Sequence, residues 1–228
     1  MSSHWLLRRL ALAVLLPGAA TGQSNEPAHA LIMCADSIPQ GVRPANRNCA
    51  VLARTQFDVA PDGPVVLRLE TFPDGDAARR AATPTSAVVR AAGQVWLISL
   101  GVKGERSRGG RFVTEIGPVP ALPRAAHYEM QVSEADFGPN EASAVANAVH
   151  THSGPEFWFV FTGEQCLETP AGITRARAGE GMSAPAETPM QLNIVGQSKR
   201  DAVFVVVHDA SRPATTVSDW RPTGSCQR

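Results

Sequence analysis

Short apolar runs separated by turn-forming residues dominate the chain from Pro64 onward. Pro64-Val65-Val66-Leu67-Arg68-Leu69-Glu70 reads as a strand whose exit is marked by Pro73-Asp74-Gly75. Asp76 to Ala82 predicts a short helix, stopped at Thr83-Pro84. Two apolar runs, Ser86 to Ala92 and Val95 to Leu100, flank Gly93-Gln94 and predict a hairpin. Phe112 to Ile116 is a further strand, and Gly117-Pro118-Val119-Pro120 to Pro123 reads as a linker. From Ala126 the spacing becomes regular, with runs at His127 to Val132, Val149 to His152, Glu156 to Phe161, Gln165 to Thr169, Ile173 to Ala178, Met190 to Val195 and Ala202 to His208. Turn residues such as Ser153-Gly154-Pro155, Thr162-Gly163-Glu164 and Gly179-Glu180-Gly181 separate them. Strands this short with turns this frequent predict a mainly β chain, an antiparallel sandwich or barrel. Residues 23 to 62 read as loop, apart from an apolar stretch around Ala50-Val51-Leu52-Ala53.

The first residues follow a different logic. Arg8 and Arg9 precede the apolar run Leu10 to Leu16, and Pro17-Gly18-Ala19-Ala20-Thr21-Gly22 supplies a helix breaker and small residues. This is the pattern of a signal peptide over residues 1–22, with cleavage expected after Ala20 or Gly22. The run is too short to cross a bilayer, and no later stretch is long and apolar enough to do so. The expected mature chain is therefore periplasmic or secreted, with no membrane contact after signal cleavage.

Composition narrows the function classes. Hydrophobic residues make up 43% of the chain, which excludes intrinsic disorder. The 21 basic residues balance the 21 acidic ones without a Lys/Arg block. A nucleic-acid partner, which needs a basic face, is excluded on that ground. Four cysteines (Cys34, Cys49, Cys166 and Cys226) in an oxidising compartment predict two disulfides. Three pairings are open; the expected one joins Cys34 to Cys49 and Cys166 to Cys226, the latter stapling the tail 211–228 onto the body.

Candidate chemistry is concentrated in one segment. His150-Thr151-His152 lies on an extended run, so both imidazoles point the same way. Glu156 follows a Ser-Gly-Pro turn that folds it back toward them. Two imidazoles and one carboxylate form a set that non-haem Fe(II) sites use and that also suits Mn, Zn or Ni. Other signals are weaker. Arg175 and Arg177 share a strand face and read as an anion clamp or, more simply, a solvated edge. Gly179-x-Gly181 imitates a dinucleotide loop, but Pro185 and Pro189 stand where a helix should begin.

His150-x-His152-x3-Glu156-x6-Gly163 resembles the first motif of the cupin family in residue type and spacing. The second motif is met in part: Gly179-x5-Pro185 fits, Glu187 replaces a glycine, Met190 stands at the position of the fourth ligand histidine, and Ile194 at that of an asparagine, with Asn193 one residue early. The resemblance implies a cupin jelly-roll β-barrel over residues 126–210, preceded by an N-terminal extension 23–125 with strands, a hairpin and a short helix. It implies His150, His152 and Glu156 as ligands of a divalent metal ion (Fe, Mn, Zn, Ni or Cu). Met190 is the degenerate fourth position, and a thioether favours Cu(I). Water fills the remaining positions, or His208 supplies a ligand, or the metal is lost and an organic ligand alone binds. Trp158, Gln191 and His208 are candidate pocket residues. The expected function is an exported metal-binding cupin acting on a small molecule, with dioxygenase-type chemistry ranked first; the rival is a non-catalytic small-ligand binder. The resemblance also implies a homodimer.

Overall fold

The computed structural model describes residues 49–138 and 149–227. The leader 1–22 and Cys34 lie outside the described residues.

Three β layers stack face to face. The central layer is a five-stranded antiparallel sheet in the order β1-β6-β13-β8-β11, built from β1 (Cys49–Phe57), β6 (Tyr128–Phe137), β13 (Arg200–Asp209), β8 (Glu156–Thr162) and β11 (Gly181–Ala184). The second layer combines β10 (Gly172–Arg177), β9 (Glu164–Thr169) and β12 (Gln191–Val195) with the pair β14 (Thr215–Val217) and β7 (His150–His152). A bridge between His150 and Met190 links these two groups of strands. Together the central and second layers form the barrel, and Trp158, Val160, Leu167, Ala176, Met182, Ala184, Met190 and Ala202 pack inside it.

The third layer is a four-stranded sheet, β3-β4-β2-β5, made of β3 (Ser86–Ala91), β4 (Gln94–Gly101), β2 (Val65–Phe72) and β5 (Arg111–Val119). It covers the outer face of the central sheet. Leu67, Leu69, Trp96, Ile98 and Ile116 share one apolar core with Met130, Val132, Phe157, Phe159, Val203, Val205 and Val207. Period-2 alternation explains both cores: in β8, Phe157 and Phe159 face the third layer while Trp158 and Val160 face the barrel interior. The helix α1 (Gly75–Ala81) is started by Asp74, whose carboxylate accepts the Ala77 N–H at 2.8 Å. It buries Ala78 beside Val95 and Leu97 on the far face of the third layer.

Several expectations are corrected. Cys49–Phe57 is a strand rather than loop: β1 pairs with β6 along its whole length. β5 runs through Gly117-Pro118 to Val119, where a linker was expected. Its place at the edge of the sheet tolerates a proline, which lacks a donor. The hairpin turn is Ala92-Gly93, both with positive φ (46° and 74°), one residue earlier than Gly93-Gln94. β11 begins at Gly181, inside the expected turn. A Cβ there would lie 2.5 Å from Ile116 Cγ1, so any larger residue would have to displace the Ile116 side chain where β5 packs on the barrel.

The structure joins Cys166 of β9 to Cys226. Cys49 is disulfide-bonded as well. Glu168 tightens the same junction, its carboxylate accepting both the backbone N–H and the hydroxyl of Thr223 at 2.6 Å. A disulfide fits an oxidising, extracellular setting. No helix among the described residues is long and apolar enough to cross a membrane.

Candidate metal centre

The short strand β7 is held on both sides. β14 pairs with it so that Thr215 lies opposite His152 and Val217 opposite His150. On the other side the His150 N–H donates to Met190 O at 3.1 Å, and the Met190 N–H returns to His150 O at 2.9 Å. Directly opposed residues share a face. Met190, packed in the barrel interior, therefore stands on the face that carries His150 and His152.

The turn Ser153-Gly154-Pro155 carries the chain from β7 to β8. The Ser153 hydroxyl donates to Pro213 O at 3.0 Å. A Cβ on Gly154 would fall 1.7 Å from Val207 O, so only glycine lets the turn press against β13. That close approach delivers Glu156, the first residue of β8, to the inner face of the central sheet. It lies opposite Ala184 and Val206 there.

His150, His152 and Glu156 thus converge, each offering one ligand atom, and these atoms all lie within 4.8 Å of one another. His152 and Glu156 are buried, at 5% and 4% exposure, and His150 is half-buried. The His152 Nδ1–H donates to the Ala214 carbonyl at 2.9 Å, with Thr215 Oγ1 3.1 Å from the same nitrogen. A carbonyl only accepts, so this bond fixes the tautomer and leaves the Nε2 lone pair of the neutral ring pointing at Glu156. Nε2 and Glu156 Oε2 are 2.8 Å apart, and neither has a hydrogen-bond partner elsewhere among the described residues. Two buried acceptors at that distance require a proton or a cation between them. Burial pushes the His152 imidazolium toward a lower pKa, but the Glu156 carboxylate and the Ala214 carbonyl outweigh it, and the net direction is upward. The donor set and its outer bond to Ala214 fit a divalent metal ion.

The other sequence candidates are distributed unevenly. Trp158 lies two residues beyond Glu156 on the same inner face, 2% exposed against the apolar barrel interior. Gln191 lies in register with Glu168 of β9, and strand alternation sets it on the face of β12 opposite Met190 and Leu192. His208 is on the inner face but outside the converging group; its Nδ1–H donates to Asp209 O at 2.8 Å. Arg175 and Arg177 pair with Glu164 at 3.3 and 3.2 Å on the edge strand β10, which makes that face a solvated edge. Glu187, at the expected glycine, has φ 59°, a backbone shape that glycine adopts without strain. Its N–H donates to His152 O at 2.8 Å.

Apart from His208, sequence reasoning did not find the polar residues on the inner face of the central sheet beside Glu156: Arg54, Gln56, Glu129 and Gln131. Strand register puts Arg54, Gln131, Val206 and Glu156 in one row across β1, β6, β13 and β8, and Gln56, Glu129 and His208 in the next. The only local signal was the polar alternation of Arg54 and Gln56 after an apolar stretch.

No family model matches the chain, and no curated protein does. Solved structures similar to it include a cupin-like protein from Thermotoga maritima, 12% identical over 43% of this chain and 68% of that one, with a TM-score of 0.34. An uncharacterized conserved protein with a double-stranded β-helix domain from Klebsiella pneumoniae is 19% identical over 41% and 71%, with a TM-score of 0.31. An oxalate decarboxylase variant from Bacillus subtilis is 11% identical over 40% and 23%, with a TM-score of 0.30. The residues of the first cupin motif stand on β7 and β8, and the antiparallel sheets around them form a barrel of the jelly-roll kind.

Proposed function

We propose that this chain is an exported cupin that holds a divalent metal ion through His150, His152 and Glu156 and acts on a small polar molecule in the barrel. One observation carries the reading: His152 Nε2 and Glu156 Oε2, both buried, lie 2.8 Å apart with no other partner among the described residues, so a proton or a cation must sit between them. Nitrogen and carboxylate donors suit Fe(II), Mn, Zn or Ni, and the thioether of Met190 would add a soft donor suited to copper. A bound ion would supply Lewis acidity or, as iron, the redox capacity that dioxygenase-type chemistry needs. The chain's own part is positional. Ala214 O orients His152, the Gly154 turn places Glu156, and the polar row of Arg54, Gln131, Glu129 and His208 supplies hydrogen-bonding groups beside the centre. Convergent polar groups next to an ion are what an enzyme requires, whereas a purely apolar mouth suits a binder.

A non-catalytic ligand-binding cupin is the rival reading, favoured by Met190, which is fully buried among apolar side chains at the fourth-ligand position. Metal analysis of the mature protein, purified from a periplasm without chelator or histidine tag, separates the two. Near-stoichiometric Fe, Mn, Zn, Ni or Cu that disappears in His152→Ala supports the metal centre. Metal-free protein that gains none on reconstitution leaves only ligand binding.

A further inference from the structure

His208 repeats the arrangement of His152 one row away. Its Nδ1–H is committed to a backbone carbonyl, Asp209 O, at 2.8 Å, so the neutral ring carries its lone pair on Nε2. That atom is buried and has no hydrogen-bond partner among the described residues, and the residue as a whole is 6% exposed. It lies 3.7 Å from Glu129 Oε1, beyond hydrogen-bond reach. Glu129 is a second acceptor, steadied by Arg54 and by Gln56 Nε2 at 3.4 Å. Two acceptor atoms therefore stand side by side on the inner face of the central sheet, and among the described residues none donates to His208 Nε2, while Glu129 Oε1 accepts from Arg54. Their spacing admits one donor atom at about 2.8–3.0 Å from each.

Register places this pair beside the metal centre. Val206 lies opposite Glu156, and His208, two residues on, shares its face. Diagonal neighbours in a sheet are about 7–8 Å apart, within the span of one small molecule. The buried Nε2 of His208 costs stability while unpaired, which a ligand donor would restore, and Glu129 Oε1, already bonded to Arg54, has a further lone pair for the same donor.

Building on the metal reading above, we propose that His208 Nε2 and Glu129 Oε1 form the donor-reading half of the site. They receive the O–H or N–H of a small, oxygen-rich ligand whose other end reaches the His150–His152–Glu156 centre. His208 is then a specificity residue, and a ligand that offers only lone pairs gains nothing from it.

Two probes of the metal-loaded protein test this. Acetohydroxamic acid reaches a metal through oxygen and carries N–H and O–H donors; azide reaches a metal and carries none. Calorimetric titrations are run on wild type, His208→Gln and Glu129→Gln, with metal content measured on the same samples. The expected result is unchanged metal content and unchanged azide affinity in both variants, with acetohydroxamate weakened about tenfold or more. Equal affinity of acetohydroxamate for wild type and both variants overturns the proposal. So does parallel weakening of azide, which would make His208 a structural support of the centre, and so does metal-loaded wild type that takes up azide but not acetohydroxamate. Wild type that holds no metal overturns the metal reading, and this inference with it.

Discussion

His150 and Met190 face each other across a bridge of two reciprocal backbone hydrogen bonds, 3.1 and 2.9 Å long. The bridge fixes the backbone of residue 190 beside His150, on the face that carries the candidate ligands. Met190→His should complete a four-ligand set and raise metal affinity on the order of tenfold or more, read by competition against a chelator. In the metal-free protein the same change buries a polar ring among apolar neighbours and should lower stability by about 1–3 kcal/mol. An affinity equal to wild type would mean that residue 190 points its side chain away from the centre.

How much of this was legible follows from the range of each interaction. His150, His152 and Glu156 could be read because a period of two and one turn settle their common face within seven residues of chain. Ala214 could not, because a backbone carbonyl 62 residues from His152 carries no sequence signature. Strand β1 was missed for a related reason. Its outer face is apolar, but its inner face carries Arg54 and Gln56, and the register shift between Val51 and Ala53 interrupts the alternation. A strand whose second face carries exposed polar residues imitates a loop. The polar character of Gln191 does not by itself reveal which face of β12 it takes; its register with Glu168 does.

The protonation of His152 predicts opposite pH trends for the metal-free and metal-binding states. Its pKa in the fold lies above the ordinary value of about 6.5, burial being outweighed by Glu156. Its contribution to the stability of the metal-free fold is fully present below about pH 6.5 and is lost as pH rises through the folded value. A metal ligand must be the neutral ring, so binding an ion expels that proton. Metal affinity should therefore rise by up to about tenfold per pH unit until the folded pKa is passed, while urea midpoints of the stripped protein drift downward. A pH-independent affinity would contradict the His152–Glu156 proton.

Cys166–Cys226 spans 60 residues and ties down the segment that contains Ala214 and Thr215. On the chain-entropy account such a loop contributes about 4 kcal/mol as an upper bound. Cys226→Ser should lower the denaturation midpoint accordingly. It should also weaken metal binding severalfold, because the strand that orients His152 loses its anchor. Lower stability with unchanged metal affinity would show that the pairing of β14 with β7 suffices to position the ring.

Trp96 tests whether the third layer and the barrel stand or fall together. It sits on β4, its indole N–H donating to Ala91 O at 2.9 Å. Its ring packs against Phe159 and Phe161 of β8, with centroids 5.9 and 5.4 Å away. These phenylalanines lie on the strand that begins at Glu156, so the outer layer buttresses the strand carrying a candidate ligand. Trp96→Ala should cost about 3–5 kcal/mol and leave one cooperative transition, because the cavity opens in a core that both layers share. Fluorescence and circular dichroism melts recorded on one sample check this. Two separated transitions, with metal retained through the first, would show instead that the barrel holds its centre without the outer sheet.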